Sequence, residues 1–390
     1  MAETEFMSLN VGPHHPSTHG VLRIVCELDG EYVRKATLHI GYLHSGFEKL
    51  CEHKTYHQII TITDRIDYMA AMMNNFAYVL AVEKLLDIEV PKRGQYIRVI
   101  MAEMSRIASH LFWLGAHGHD LGAFTPFFYA IREREDLFDL FEMATGGRLT
   151  PSYFRVGGLA ADLPDGFVEK ALEFTKIFPS RVDEYEGLLT KNIIYMERTK
   201  GVGIIPVDDL ISWGVTGPIL RASGVAHDLR KIQPYSSYRE FDFDIPTGTN
   251  GDVWDRYQVR IKEMHQSNRI VRQALENLPS GPINADAPQV KIPSKAATLE
   301  NIEALIHHFL ITAEGFRPPV GEVYHAIESP RGELGFYIVS NGENRPYRCR
   351  IRPPTFVNLE PVAQMVEGRL LADLVSVLSS IDIVLAEVDR

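Results

Sequence analysis

The sequence predicts an α+β fold, predominantly helical, with β-rich parts at both ends of a helical bundle. Three observations carry this. A hairpin signal sits near residue 30, long stretches repeat apolar residues at steps of three and four, and short strand-like runs gather after residue 320. Taken in order, residues 21–28 (VLRIVCEL) and 31–40 (EYVRKATLHI) flank Asp29-Gly30, a turn pair that joins two strands. Over 56–86, Ile59, Ile62, Ile66, Met69, Met73, Phe76 and Leu80 predict one helix. Ile97, Ile100, Met104, Ile107, Leu111 and Leu114 predict another over 95–114, ending near Gly115. Residues 126–145 and 299–314 also read as helices. Tyr257, Ile261, Met264, Val271 and Leu275 place one more after Asp255. Residues 278–295 hold four prolines and a glycine, which predicts a linker. Beyond it, 320–328, 333–340 and 346–352 read as short strands and 360–380 as a helix. The expected division is an N-terminal hairpin region over 1–54, a helical core over 55–278, and a linker plus C-terminal α+β region over 279–390.

Composition narrows the function. Lys+Arg 40 against Asp+Glu 51 gives a net charge of −11, and no basic run is present. Phosphate neutralisation needs concentrated cations, so nucleic acid is excluded as a partner class. Cys26, Cys51 and Cys349 are too few and too far apart for a four-cysteine iron–sulfur or zinc site, and they suggest a reducing compartment. The opening MAETEFMSLN is acidic and has no apolar core, unlike a signal or transit peptide. No apolar run reaches the ~18 residues of a membrane span. The best stretch, Leu370 to Val388, is interrupted by Asp373, Asp382 and Glu387.

Three constellations could carry chemistry. In Gly12-Pro13-His14-His15-Pro16-Ser17-Thr18-His19-Gly20 the prolines and glycines predict a loop. Its histidines could bond within a turn, present an N–H to a ligand, or bind metal, although no carboxylate partner is local. On a continuous helix 56–86, Asp64, Tyr68, Ala71, Met72 and Asn75 share the face opposite the apolar stripe. That face could line a cavity or pack on another helix with its polar atoms satisfied. His117-Gly118-His119-Asp120 reads as a helix-terminal loop whose acid orients something nearby, or as half of a binuclear metallohydrolase motif whose remainder is missing. Nucleotide and hydrolase motifs fail: Gly201-Val202-Gly203 is followed by Pro206 where GxGxxG needs a glycine, and neither GxxxxGK[ST], HExxH nor GxSxG occurs.

Together these segments resemble one family, the D-type subunits of respiratory complex I. The matching stretches are GPHHPSTHGVLR (12–23), GYLHSGFEKL (41–50), DRIDYMAAMMNN (64–75), TPFFYAIREREDLFDLFEMATG (125–146), YFRVGG (153–158), RGELGFY (331–337), IRPP (351–354) and SIDIVLAEVDR (380–390). The family is related to the nickel–iron hydrogenase large subunit, so the resemblance implies a hydrogenase-like helical bundle. A hydrogenase carries RxCGxC near its first long helix and DPCxxC at its end. Here Asp67, Ala70, Val384 and Glu387 stand at the thiolate positions, which implies no metal.

In the family the emptied site is the quinone headgroup cavity. Its histidine matches His19, its tyrosine Tyr68, and its supporting acid Asp120. Thr18, Asp64, Met69, Met72 and Val384 are the cavity neighbours the resemblance implies. A phenol and an imidazole are suitable donors to two carbonyl oxygens that gain charge on reduction. Asp120 is expected to fix the imidazole tautomer and favour its charged form. With no cofactor of its own, the chain must take electrons from an iron–sulfur cluster in a neighbouring protein, the homologue of the B-type subunit of complex I. Further implied partners are homologues of the C-type and I-type subunits and of the membrane-embedded H-type subunit. The implied place is the cell membrane, peripheral on its cytoplasmic side, and the isolated chain is expected to be inactive. Ser45 stands where the family often has Arg, so that residue's role does not transfer. An active hydrogenase would need the four missing cysteines; the other reading is a hydrogenase-like scaffold kept without catalysis.

Overall fold

The computed structural model describes residues 6–390; residues 1–5, half of the acidic opening, lie outside the described residues. Strands β1 (Met7–Val11), β2 (Arg23–Asp29) and β3 (Tyr32–His39) form an antiparallel sheet in that order. The predicted hairpin is present, with Asp29 paired to Tyr32 across Gly30-Glu31. Ile24, Cys26 and Leu28 alternate inward, as the period of a strand requires. β1 adds a strand beyond the two predicted.

After α1 (Phe47–His53), the predicted 56–86 helix is two helices, α2 (Tyr56–Thr63) and α3 (Ala71–Leu86). Asp67 accounts for the break. Its Oδ1 accepts the backbone N–H of Met69 at 3.0 Å and of Ala70 at 3.3 Å. A side chain that bonds its own backbone offers the chain an alternative to the helix ladder.

Helix α4 (Lys92–Asp120) runs past its predicted end at Gly115 and meets α5 (Thr125–Thr145). A Cβ at Gly115 would lie 3.0 Å from the Phe127 Cα. This glycine therefore permits close approach of two helices and is not a stop signal.

A two-residue pair, β4 (Phe154–Arg155) and β5 (Gly158–Leu159), leads to α6 (Phe167–Leu189). Short helices follow: α7 (Ile193–Thr199), α8 (Val207–Ser212), α9 (Pro218–Ala222) and α10 (Leu229–Ile232). Helix α11 (Val253–Glu276) starts at Asp252, whose side chain accepts from the Asp255 N–H at 2.8 Å. The proline-rich segment after it holds no helix or strand up to α12 (Lys295–Glu300). Asn301 separates α12 from α13 (Ile302–Ala313), capping the second with its Oδ1.

Strands β6 (Gly321–Ser329), β7 (Gly332–Ser340) and β8 (Arg348–Arg352) form a second antiparallel sheet. The predicted 360–380 helix is broken at Pro361 and Gly368. It becomes α15 (Val362–Val366) and α16 (Leu371–Ile381), after α14 (Pro354–Leu359) and before α17 (Leu385–Asp389).

The apolar interior has two parts. The larger is built by α2 to α6, α11 and the second sheet; the smaller joins the first sheet to α8, α9 and the C-terminal helices. No helix of the described residues is long and apolar enough to cross a membrane.

Candidate functional site

The last turns of α4, the break between α2 and α3, the loop before β2 and the turn before α17 converge on one cavity. It offers about 30 Å³ to the centres of water-sized molecules. Larger hollows exist, such as one of about 350 Å³ beside His57, Arg155 and Lys291. The candidate residues meet only in the small one.

His19 enters from the loop. It closes a single 3₁₀ turn, Pro16–Thr18, in a left-handed conformation with φ 53°. A non-glycine residue held there is strained, and strain of this kind gathers at functional sites. Buried Thr18 maintains the turn: its hydroxyl donates to the His15 carbonyl at 2.9 Å. Thr18 is a scaffold and does not line the cavity. His15 accepts from the Ser17 N–H at 3.1 Å, and both His14 and His15 are exposed, so the three histidines do not converge. The His19 Nε2 is buried without a partner. Burial lowers the His19 pKa; the Asp382 charge raises it and Arg331 lowers it. At neutral pH the ring is neutral.

Tyr68 lies in the break, half-buried, not on a helix face. Its hydroxyl makes no hydrogen bond among the described residues. Burial, then the charge of neighbouring Asp67, raises its pKa, so it is a neutral O–H donor. Met69, beside it, also lines the cavity. Asp64 and Met72 do not. Asp64 is buried next to Arg65 (3.5 Å), with its carboxyl pushed up to about 6 by burial. Met72 is in the larger apolar interior, and Asn75 donates to the Ile60 carbonyl at 3.3 Å. The shared face foreseen for Asp64, Tyr68 and Met72 does not exist, because the helix that would have made it is interrupted.

The His117-Gly118-His119-Asp120 motif is helical, not a loop, so its side chains diverge. His117 lines the inner wall of the cavity, its Nδ1 2.7 Å from the Ser379 Oγ and its ring stacked on Trp113. Burial, then Arg260, pushes the His117 pKa down to about 3. His119 turns outward against Phe124, while Asp120 faces the cavity. The Asp120 carboxyl is pushed up to about 6 by burial, opposed by the nearby His119 and His15 charges. No hydrogen bond joins Asp120 to His19. The carboxylate whose charge acts on the imidazole is Asp382.

The remaining wall carries groups to which sequence reasoning gave no role. Arg331, at the β6–β7 turn, reaches Asp67 Oδ2 at 2.6 Å and Asp382 Oδ1 at 3.0 Å, and its Nε donates to the Asp382 carbonyl at 2.9 Å. Asp382 and Ile383 line it beside the expected Val384, with Asp382 in a left-handed conformation at φ 63°. Arg331 and Asp382 fall inside the quoted RGELGFY and SIDIVLAEVDR stretches, so the signal was present without its pairing. The cavity therefore gathers two imidazoles, a phenol, a buried guanidinium and two acids, on a partly apolar floor.

Comparison with known proteins agrees over the whole chain. Residues 120–390 match the family model of the respiratory-chain NADH dehydrogenase 49 Kd subunit. The D subunit of the NADH-quinone oxidoreductase from Geotalea uraniireducens (strain Rf4) is 56% identical over 390 residues, covering 100% of both chains. Its counterpart from Geobacter metallireducens (strain ATCC 53774 / DSM 7210 / GS-15) is 57% identical over 390 residues, again 100% of each. The one from Trichlorobacter lovleyi (strain ATCC BAA-1151 / DSM 17278 / SZ) is 54% identical over 390 residues, with 100% of both chains covered.

Proposed function

Since the chain belongs to the family of the respiratory-chain NADH dehydrogenase 49 Kd subunit, we propose that the cavity between His19 and Tyr68 is where a quinone headgroup is bound and reduced. The observation that carries this reading is a pair of unengaged donors. The His19 Nε2 is buried without a partner, the Tyr68 hydroxyl makes no hydrogen bond among the described residues, and both residues line the cavity. Reduction adds two electrons and two protons, and each carbonyl oxygen needs a donor that strengthens as charge develops.

Tyr68 holds one oxygen through its neutral hydroxyl, and His19 addresses the other. Asp120, Met69 and Val384 shape the space between them. Thr18, Asp64 and Met72 act one layer back, by fixing the loop and the break. The chain contributes no redox centre, so electrons come from an iron–sulfur cluster of the adjacent B-type homologue. The C-type, I-type and membrane-embedded H-type homologues complete the surroundings, with this chain peripheral on the cytoplasmic face. The cavity is smaller than the ~300–1,000 Å³ of ordinary ligand pockets, so a headgroup enters by displacing side chains of its wall.

Tyr68→Phe tests the reading. The ring, and with it the packing, remains; one hydroxyl is lost. Removing one preorganised donor typically costs about 10²–10³ in turnover, less where water takes its place. Quinone reduction should fall about tenfold or more, while electron transfer to ferricyanide, which precedes the quinone step, should hold. Quinone turnover within about twofold of the unchanged protein would make Tyr68 a packing residue and end the proposal. The alternative, a scaffold without catalysis, predicts that outcome.

A further inference from the structure

Behind the cavity three carboxylates crowd one cation. Asp67, Asp382, Glu387 and Arg331 are all buried, with 3%, 4%, 1% and 1% of their surface exposed. The guanidinium bridges Asp67 and Asp382. Glu387, in the first turn of α17, accepts a hydrogen bond from the Thr355 hydroxyl and forms no ion pair among the described residues. The next guanidinium, Arg260, stacks over Trp113 at 4.3 Å and feels the Asp382 charge without forming an ion pair with any of the three acids among the described residues. Three ionised carboxylates around Arg331 would leave at least one charge uncompensated out of water even with Arg260 counted, a cost of several kcal/mol per ion. The group must therefore hold a proton at rest, shared among coupled acids. One side of it opens on the cavity. The Asp382 Oδ2 is buried without a partner, as is the His19 Nε2, and both residues line the same space.

We propose that Asp67, Asp382 and Glu387 around Arg331 form a proton store that refills His19 during quinone reduction, with Asp382 as the delivering group. The proposal rests on the quinone reading above. Two electrons arrive from the partner's iron–sulfur cluster. The store gives a proton to the neutral His19 ring through Asp382, the imidazolium passes one to a carbonyl oxygen and is left neutral again, and the store then regains one from water. The second oxygen takes the Tyr68 proton, which one from water then replaces, or takes one from water directly. Glu387 acts through Asp382 and His19 and is a positioning residue, not a catalytic one.

The charges facing Glu387 agree with a resting proton there. Burial raises its pKa to about 8, Asp67 and Asp382 push the same way, and Arg331 and the Thr355 hydroxyl oppose. Arg390, at the end of the same helix, is the remaining charge nearby.

The test uses the assembled complex and follows quinone and ferricyanide reduction against pH. The unchanged protein should lose quinone turnover as pH rises through about 8. Glu387→Gln should lower turnover at pH 7 by about tenfold and abolish that alkaline limb, with ferricyanide reduction unchanged. Glu387→Asp should restore part of both. Thr355→Val deletes the donor that favours the ionised form, so it should move the limb to higher pH and keep the rate at pH 7. A limb and rate unmoved in Glu387→Gln, with Tyr68→Phe still selectively defective, overturn the store and leave the quinone site standing. If Tyr68→Phe is also unaffected, the quinone reading itself has failed. Should Glu387→Gln not assemble, the Thr355→Val profile decides, and an unshifted limb overturns the proposal.

Discussion

Asp120 shows how burial changes a residue's expected part. It faces the cavity yet neither bonds His19 nor sets its charge, which Asp382 does, so any part it takes is through its own charge on the bound headgroup, and only when ionised. Its pKa of about 6 sets the window. Above that value the carboxylate is negative; below it the wild-type group is neutral, as an amide is. Asp120→Asn should therefore slow quinone reduction at pH 7.5 and make little difference at pH 5.5. A ratio of rates constant across that range would show that the ionisation has no role. Of the residues picked from sequence, His19, Tyr68, Met69, Asp120 and Val384 share the cavity. Thr18, Asp64 and Met72, which the resemblance also implied, do not: Thr18 is turned into its own turn, and the break at Asp67 takes Asp64 and Met72 off the face Tyr68 would have shared. Arg331 and Asp382 escaped notice for another reason. Their meaning lies in a pairing across 51 residues, and no local pattern encodes it.

At the scale of elements, glycine separates what sequence shows from what packing decides. Gly115 in α4 and Gly187 in α6 look alike in sequence, each inside an amphipathic helix. Around Gly187 nothing lies within 4 Å of an added Cβ, so Gly187→Ala gains helix propensity and should stabilise by about 0.5–1 kcal/mol. Around Gly115 the same methyl meets the Phe127 backbone at 3.0 Å, which cannot step aside as a side-chain end would. Gly115→Ala should destabilise by about 1–3 kcal/mol and shift α5 against the cavity end of α4. Urea denaturation of the purified protein checks both signs, and a stabilising Gly115→Ala would show that α5 is free to move. The same contrast explains the element reading. Hairpin, linker and C-terminal strands were legible because turn chemistry is local. So was α6, whose Phe167, Ala171, Phe174, Phe178, Val182, Tyr185 and Leu189 form a buried stripe at helical spacing, though the reading passed over it. The break at Asp67 was hidden, since apolar periodicity continues through it and only the carboxylate's own hydrogen bonds stop the helix.

For the whole molecule, buried titratable groups set how stability follows pH. Between α4, α11 and the second sheet, Glu103 binds Arg106, Arg230, Tyr238 and Ser267. Burial raises the Glu103 pKa, but those partners outweigh it and hold the carboxyl down to about 2. A depressed acid contributes stability above its ordinary pKa of ~4.5 and loses it as pH falls toward 2. A second set of groups responds earlier. His57, His117 and His325 are lowered by burial to about 4, 3 and 4. Unfolded, such a ring takes a proton below about 6.5; folded, it waits until pH 3–4, so each weakens the fold once pH drops below 6.5. Glu387 works in the opposite sense: its raised pKa of about 8 gives stability that fades as pH rises through that value. Stability should accordingly be greatest near neutral pH, and its acid decline should begin with histidines, before any carboxylate of the network protonates. His57 is the place to look, because its Nε2 is buried without a partner and its ring meets Phe316 edge-on. His57→Leu removes one proton from the difference between folded and unfolded chains. Denaturation measured from pH 6 down to 4.5 should show a slope shallower by up to about 1.4 kcal/mol per pH unit, with the further fall toward pH 2 retained. An unchanged slope would mean that His57 is charged in the folded protein.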